Sequence, residues 1–471
     1  MKIVTCVFPI TLGRPLENAE KMIEIAEKNS GDVYLFPAYA LSGVSVAKIS
    51  GLASFKEESE KALDKICSYT ENNKKVIVTA TFTEGNIAIY DGDVNKSGKF
   101  TKEKLAFAIS QSGNENADVL LVPTAMPSYP CIKNDVSEFC AAISTEKKCV
   151  VAVANSGYGE STADDVFKGF CGVFKDGTIT AFMSEDKPET VVASADYDKA
   201  TGIKYVRPKK AAGKIPYYTK NDATLYVTDY ALLQKEALYS RAKFTGAKKL
   251  FVEAEETSEG YLALYILSET AKDLKMRSEK VTVFTFSENI ALLARKFGFS
   301  VISDLDGSAR EIKAKILDRA DKEKALFVGT TTLSDLAYGE ISPLCETLCH
   351  YNINATLPRT VLWDEVKTVY KDDAETLEKV SAVCEKEKNA KTDLCDFWVY
   401  YFAKHGMRST DLLNYALATF DEYDDDVINE AFDFFKVAYI KNQQIRSAEP
   451  EGANAVGFIL PYIPTDAKYD I

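Results

Sequence analysis

The chain opens with strand-length apolar runs alternating with helical periodicity. Val4–Pro9, Val33–Pro37, Val76–Thr81, Leu105–Ile109, Val119–Pro123, Val150–Ala154 and Gly172–Phe174 are short, apolar and bounded by polar turns. Between them, Glu17–Lys28 and Phe55–Glu71 space their apolar residues three and four apart, as a helix with one buried face requires. Strands alternating with helices predict a layered α/β domain. A stretch bearing Lys, Pro and Gly, Thr201–Lys220, reads as a connection. A helix around Tyr230–Phe244 then leads into a second α/β unit, with strands at Leu250–Val252, Val281–Phe286, Ser300–Ile302 and Ala325–Gly329. From about Leu362 the pattern turns helical and aromatic. Tyr400, Tyr401, Phe402, Phe432, Phe434, Phe435 and Tyr439 read there as helix-packing residues, not as a cofactor box. These patterns divide the chain into a first domain at 1–200, a linker and connecting helix at 201–245, and a second domain at 246–471.

Composition narrows the function classes. At 471 residues and 46% hydrophobic content, the chain is long enough for two or three cores. A formal net charge of −13 argues against nucleic acid or an anionic membrane as a main partner. No apolar run reaches membrane-spanning length, and Ile3–Ile10 is a strand-sized segment, not a signal h-region. Ten cysteines without a paired-spacing framework read as reduced thiols, so the expected location is the cytoplasm. Cys345, Cys349 and His350 stand close together, but their spacing matches no common zinc pattern, and the cysteines read as helix-face residues. Cys131, in S-Y-P-C-I-K, is the most interesting thiol. With only His350 and His405 in the chain it lacks the usual activating partner and reads as structural.

The most distinctive chemistry begins at Thr245, in T-G-A-K-K-L-F-V-E-A-E-E-T-S-E-G-Y-L-A-L. An apolar strand, Leu250–Val252, passes through a short turn into an apolar helix starting near Tyr261. In nucleotide enzymes this strand-turn-helix place cradles phosphates with backbone N–H groups and a helix N-terminus. Here the turn carries Glu253, Glu255, Glu256 and Glu259. Like charges at ~4 Å cost about 1 to 4 kcal/mol depending on the local dielectric, so these acids are expected to repel a triphosphate.

These residues resemble the glutamine-dependent NAD synthetases, whose ATP loop reads S-G-G-x-D-S after a TGAKK-like segment. The six positions fall on Glu255, Glu256, Thr257, Ser258, Glu259 and Gly260. Val328–Gly339 (V-G-T-T-T-L-S-D-L-A-Y-G) and Tyr351–Thr360 (Y-N-I-N-A-T-L-P-R-T) are similar to two further family motifs. The segments D-L-C-D-F-W-V-Y-Y-F-A-K-H-G-M, D-E-Y-D-D-D, R-S-A-E-P-E-G and P-T-D-A follow in the family's order. The first third resembles a nitrilase-type amidase domain over Asn18–Val44, Asn116–Met126 and Val166–Gly177. The resemblance implies an α/β protein with a nitrilase-like αββα sandwich. A doubly wound parallel sheet of the adenine nucleotide α-hydrolase type would follow, with a helical C-terminal region.

Both sets of catalytic residues that the resemblance implies are changed. The nitrilase general base falls on Ala38, whose methyl group cannot take a proton, and the Cys nucleophile falls on Ser110, followed by Gln111. The family's Lys lies in a segment that Asp91–Lys104 is too short to match; Lys96, Lys99, Lys102 and Lys104 read as surface lysines. In the synthetase loop, Glu255 and Glu256 replace Ser and Gly, Ser258 follows Thr257, and Gly260 stands in place of the last Ser. Glu259 replaces the Asp and reads as a solvated acidic helix start, which the helix dipole favours. Thr330 and Asp335 occupy the places of a Thr and a Glu that face ATP and metal in the family, with Asp one methylene shorter. We therefore expect no intact catalytic residue, no metal site, and loss of the family ligands ATP and Mg²⁺. The function this implies is that of a degenerate NAD synthetase paralogue. It would act by self-assembly as a dimer-based octamer or filament, or as a regulatory subunit of an active NAD synthetase. A divergent amidoligase retaining some ATP or NAD-precursor binding, and a non-catalytic nucleotide sensor, are the alternative readings.

Overall fold

Burial follows the period of each element, and this fixes which faces meet. The computed structural model describes residues 1–185, 187–198, 201–205, 213–218, 223–339, 341–342, 345, 347–458 and 460. Part of the Thr201–Lys220 connection and all of the P-T-D-A segment at 464–467 lie outside the described residues. The chain forms two units, the first comprising Met1–Ser128, Ile132–Ser161 and Val166–Pro208.

The first unit contains β1 (Lys2–Val7), α1 (Pro15–Lys28), β2 (Val33–Ala38), α2 (Ala53–Asn73), β3 (Val76–Thr81), β4 (Gly85–Tyr90), β5 (Asp93–Asn95), β6 (Lys99–Lys102), β7 (Leu105–Ile109) and β8 (Val119–Thr124). It continues with α3 (Ile132–Glu146), β9 (Val150–Asn155), β10 (Phe170–Lys175), β11 (Thr178–Ser184), β12 (Val191–Asp196) and β13 (Ile203–Lys204). One sheet runs β12-β1-β2-β3-β4-β5 and the other β13-β11-β10-β9-β8-β7-β6. Alternation along each strand sorts the side chains. Ile3, Val7, Val33, Leu35, Val76 and Val78 face a shared core with Phe107, Ile109, Val119, Leu121, Val150 and Val173 of the second sheet. The intervening Val4, Cys6, Tyr34, Phe36 and Ile77 pack instead on Met22 and Ile25 of α1 and Ala62 and Ile66 of α2. With α3 on β9 and β10, the layers form an αββα sandwich.

The second unit contains α4 (Ala223–Thr245), β14 (Lys249–Glu253), α5 (Ser258–Asp273), β15 (Val281–Phe284), α6 (Glu288–Lys296), β16 (Ser300–Ile302), α7 (Ala309–Glu323), β17 (Ala325–Gly329), α8 (Leu333–Tyr338) and β18 (Tyr351–Asn352). A helical region follows: α9 (Arg359–Val369), α10 (Ala374–Glu387), α11 (Ala390–His405), α12 (Ser409–Thr419), α13 (Asp425–Lys441) and α14 (Gln443–Arg446). Its sheet is parallel throughout in the order β16-β15-β14-β17-β18. The chain therefore works outward from β14 and then returns to the other side, which makes a doubly wound sheet with its switch point between β14 and β17. Ile312, Ile316 and Ala320 of α7 pack on Phe251, Phe284 and Phe327 of the sheet. The helical region closes around Trp398, with Leu412, Phe420, Ile428, Phe432 and Phe435 from α11, α12 and α13 and the loop joining the last two.

Several elements differ from the sequence pattern. The helix read as Tyr230–Phe244 begins earlier, at Ala223, and β15 stops at Phe284, leaving Phe286 exposed. Strands β5 (Asp93–Asn95) and β6 (Lys99–Lys102) are too short and polar for an apolar run to mark them, and β4, β11 and β12 also lie outside the predicted runs. Neither Cys345 nor Cys349 lies on a helix, which corrects that reading. Cys345 is buried in a turn, and Cys349 precedes β18 with burial pushing its thiol up to about 12. His350 is held structurally: its Nδ1 accepts from the Phe327 N–H (3.0 Å) and its Nε2 lies 3.1 Å from Asp321 Oδ1. Among the described residues, no helix is long and apolar enough to cross a membrane.

Candidate functional site

In the sandwich, Ala38 is the last residue of β2 and fully buried. The next residue, Tyr39 (φ +60), stacks on Phe82 with ring centroids 4.3 Å apart. Ser110 follows β7 and is 7% exposed; its hydroxyl accepts from the Gly113 N–H (3.1 Å) and its own N–H donates to Leu121 O. Neither a carboxylate nor an imidazole is hydrogen-bonded to that hydroxyl among the described residues. Of the lysines between β4 and β7, Lys96 pairs with Glu84, Lys99 pairs with Glu115 at 2.7 Å, and Lys102 Nζ donates to Lys74 O. Cys131 is buried with a left-handed backbone (φ +64), and its N–H donates to Asp229 Oδ2 at 3.4 Å.

Two buried carboxyls in the same unit escaped the sequence reading. Glu160 Oε2 accepts from the Val44 N–H (2.8 Å), and Glu185 Oε2 accepts from the Tyr158 and Gly169 N–H groups (2.9 and 3.0 Å). Burial pushes each from 4.5 to about 7, against the pull of these hydrogen bonds. Because the folded values lie above the unfolded one, the neutral form is favoured by folding. The stabilisation is complete below about pH 4.5 and is lost as the pH rises to about 7. We expect hydrogen exchange from β9 and β10 to quicken across that window by the equivalent of at most about 3 kcal/mol per group. Glu160→Gln and Glu185→Gln together should flatten this pH dependence.

The second unit places its candidate residues at the carboxyl ends of β14 and β17, where a doubly wound sheet binds ligands. A cavity of about 310 Å³ there is lined by Thr257, Glu259, Lys313, Thr330, Thr331, Asp335, Arg359 and Glu387. Thr257 caps α5 by accepting from the Gly260 N–H (3.2 Å). Gly260 is required in that turn, since a Cβ would sit 2.2 Å from Glu255 O. Thr332 and Asp335 form a reciprocal capping box on α8. Asn352 and Asn354 hold the β17–α8 loop through the Thr331 and Thr330 carbonyls (2.8 and 3.0 Å), which gives the Y-N-I-N segment its structural role.

The acids of the loop take different partners. Glu255 and Glu256 are exposed and turn toward the start of α6, where Glu256 takes hydrogen bonds from Ser287 Oγ (3.2 Å) and Asn289 Nδ2 (2.8 Å). Glu253 lies 3.4 Å from Lys313 Nζ. Glu259 is not a solvated helix start: it is 7% exposed and accepts from Arg359 Nη2 at 2.5 Å. The same guanidinium nitrogen reaches Asp335 Oδ1 at 2.9 Å. Burial opposes the charge on Arg359, but Glu259 and Asp335 more than offset it and hold its pKa above the usual arginine value. Burial raises Asp335 while Arg359 pulls it back down. Ser258, fully buried, donates its N–H (3.0 Å) and its hydroxyl to Glu387, which Trp363 Nε1 also reaches at 3.0 Å.

The cations and the helix N-terminus of this cavity face the chain's own carboxylates. The first N–H of α5 is already given to Glu387, Arg359 and Lys313 are both met by the chain's own carboxylates, and Asp335 is shared between Arg359 and the α8 cap. The structure thus brings Ser258, Glu259, Gly260, Thr330 and Asp335 to one place and leaves Glu255 and Glu256 outside the cavity. Arg359 stands in the quoted P-R-T segment. Glu387 gave no sequence signal.

A scan against protein-family models finds no match, and neither does a search of the curated proteins. Solved structures do match along the whole chain. The glutamine-dependent NAD⁺ synthetase from Cytophaga hutchinsonii is 10% identical, covers 99% of this chain and 97% of its own, and has a TM-score of 0.73. The glutamine-dependent NAD⁺ synthetase from Acinetobacter baumannii, solved with ADP, is 14% identical with the same coverage and a TM-score of 0.62. At these identities the likeness is one of fold. The chain has the two-domain architecture of glutamine-dependent NAD⁺ synthetases, a nitrilase-like sandwich followed by the doubly wound domain and its helical region.

Proposed function

We propose that this chain is a catalytically degenerate relative of glutamine-dependent NAD⁺ synthetase that works through assembly, as a homo-oligomer or as a non-catalytic subunit of an active relative. The observation that carries this reading is the self-neutralised pocket: Arg359 is committed to Glu259 and Asp335, and the α5 N-terminus to Glu387. Ala38 and Ser110 support it independently in the other unit, because a methyl group and an unassisted hydroxyl cannot share the work of a base and a thiolate. Packing outlives catalysis when active residues are lost, since their loss costs turnover more than stability. The densely packed Trp398 core fits a chain retained for its shape.

The test combines three measurements on the purified full-length chain. Glutamine hydrolysis and ATP–pyrophosphate exchange should be absent, calorimetry should show no micromolar affinity for ATP with Mg²⁺, and light scattering should show a dimer or larger species. Turnover in either assay would overturn the loss of catalysis. Micromolar ATP affinity without turnover would make the chain a nucleotide sensor. A monodisperse monomer at micromolar concentration would remove assembly.

A further inference from the structure

We propose that copies of this chain join head to tail, a basic hollow at the amino ends of β14 and β17 receiving the acidic turn between α12 and α13 of the next copy. The inference deepens the assembly reading above and rests on it. The hollow measures about 380 Å³ and lies by the last turns of α4 and α7, with Ala247, Ala320, Ala325 and Leu326 as its apolar lining. Two of the cations around it are met internally: Arg241 pairs with Glu451, and His350 Nε2 faces Asp321. Three lysines are not so matched. Lys324 lines the hollow, the Lys248 N–H donates to the Lys324 carbonyl (2.8 Å), and Lys243 stands in the α4 turn that Gly246 closes. All three are exposed, and none has an ion pair among the described residues. Phe244, beside Lys243, is 87% exposed, so the patch joins an apolar side chain to unpaired cations. Helix dipoles favour lysines at the ends of α4 and α7, but they give no reason for an exposed phenylalanine there.

The same unit carries the complement. Residues 421–426 read D-E-Y-D-D-D, and Lys214 answers Asp421 and Glu422. Asp424, Asp425 and Asp426 are exposed and have no ion pair among the described residues. Val427, 40% exposed, follows them on α13. The α13 dipole favours acids in the first turn and leaves their outer oxygens to water. Each patch therefore sets an exposed apolar side chain among unmatched charges, the composition of an interface with a polar rim. The formal net charge of −13 makes two copies repel in most orientations, and the basic hollow is where an acidic turn is attracted instead. The two patches are different surfaces, so the contact is heterologous. Each copy offers both, and the joint repeats into a ring or a filament.

The experiment is charge exchange in the full-length chain, read by sedimentation velocity at micromolar concentration. Lys243→Glu, Lys248→Glu and Lys324→Glu make one variant; Asp424→Lys, Asp425→Lys and Asp426→Lys make the other. Each variant alone should associate about tenfold or more weakly than the wild type, since like charges then face each other across the joint. An equimolar mixture of the two should regain assembly, because every contact between unlike copies again pairs opposite charges. Raising sodium chloride from about 50 mM to about 500 mM should weaken the wild-type joint, as screening of exposed charges requires. Should the acid-to-lysine variant fail to fold, Asp424→Asn, Asp425→Asn and Asp426→Asn together take its place and should weaken association in the same direction. Wild-type assembly that neither set of substitutions alters, or folded variants that fail to recover on mixing, would overturn this contact and leave the assembly reading standing. A monomeric wild type would remove both.

Discussion

Replacing Arg359 with alanine should destabilise the second unit by about 3 to 5 kcal/mol, the cost of breaking a buried ion pair from one side. Arg359 Nη2 is shared between Glu259 Oε1 (2.5 Å) and Asp335 Oδ1 (2.9 Å), and both acids line the same cavity. Without the guanidinium, two neighbouring carboxylates lose their counter-charge and face each other in a partly dry site. Asp335, which burial raises and Arg359 pulls back, then has its folded pKa raised further above the unfolded value, so the variant keeps most of its stability below about pH 4 and loses it as the pH rises. The deficit against wild type should therefore be larger at pH 8 than at pH 4.5, as read from denaturant midpoints by tryptophan fluorescence. Glu259→Gln and Asp335→Asn added to Arg359→Met should recover most of the loss, because no uncompensated charge remains. A loss below 1 kcal/mol for Arg359→Ala at pH 8 would mean that water, not Arg359, holds these two acids.

What the sequence revealed of this site depended on whether each signal was local. Apolar runs such as Val33–Pro37, Val76–Thr81 and Ala325–Gly329 marked strands because buried parallel strands need both faces apolar. The short polar strands β5 and β6 gave no such run, and their pairing depends on cross-strand partners that a linear pattern does not name. Glu259 illustrates the same limit at the site. Its neighbourhood reads as a helix start facing water, yet it is buried because Arg359, 100 residues further on, comes to meet it. Glu255 and Glu256 stand in the same turn and do reach solvent, since α6 offers them only surface partners. Glu387 was illegible for the strongest reason. Its partner Ser258 is 129 residues away, and the local sequence around it is that of an ordinary charged helix end.

The second large effect should come from Asp396, which ties three separate pieces of the second unit together. It lies on α11 with 1% exposure. Its Oδ1 accepts from Ser334 Oγ (2.5 Å) and Tyr338 OH (2.8 Å) of α8, and its Oδ2 from the Thr360 N–H (2.9 Å) at the start of α9. Burial raises its pKa, while the donors from Ser334, Thr360 and Tyr338 pull it back. A helix of six residues such as α8 is not stable by itself in water, so it depends on its capping box, on the packing of Leu333, Ala337 and Tyr338 in the Trp398 core, and on this anchor. Asp396→Ala would leave the Thr360 N–H without its acceptor and remove the polar tie between α8 and α11, with an expected cost of about 4 kcal/mol, the diagnostic range for a broken buried network. Asp396→Asn keeps the shape and one carbonyl acceptor but turns an amide N–H toward either Thr360 or the two hydroxyls, and should cost about half as much. The loss should appear as faster hydrogen exchange in α8 and in the first turn of α9, carrying Arg359 with it. If Asp396→Ala left exchange in those two segments unchanged, the carboxylate would be dispensable and the cavity would owe its shape to the Trp398 core alone.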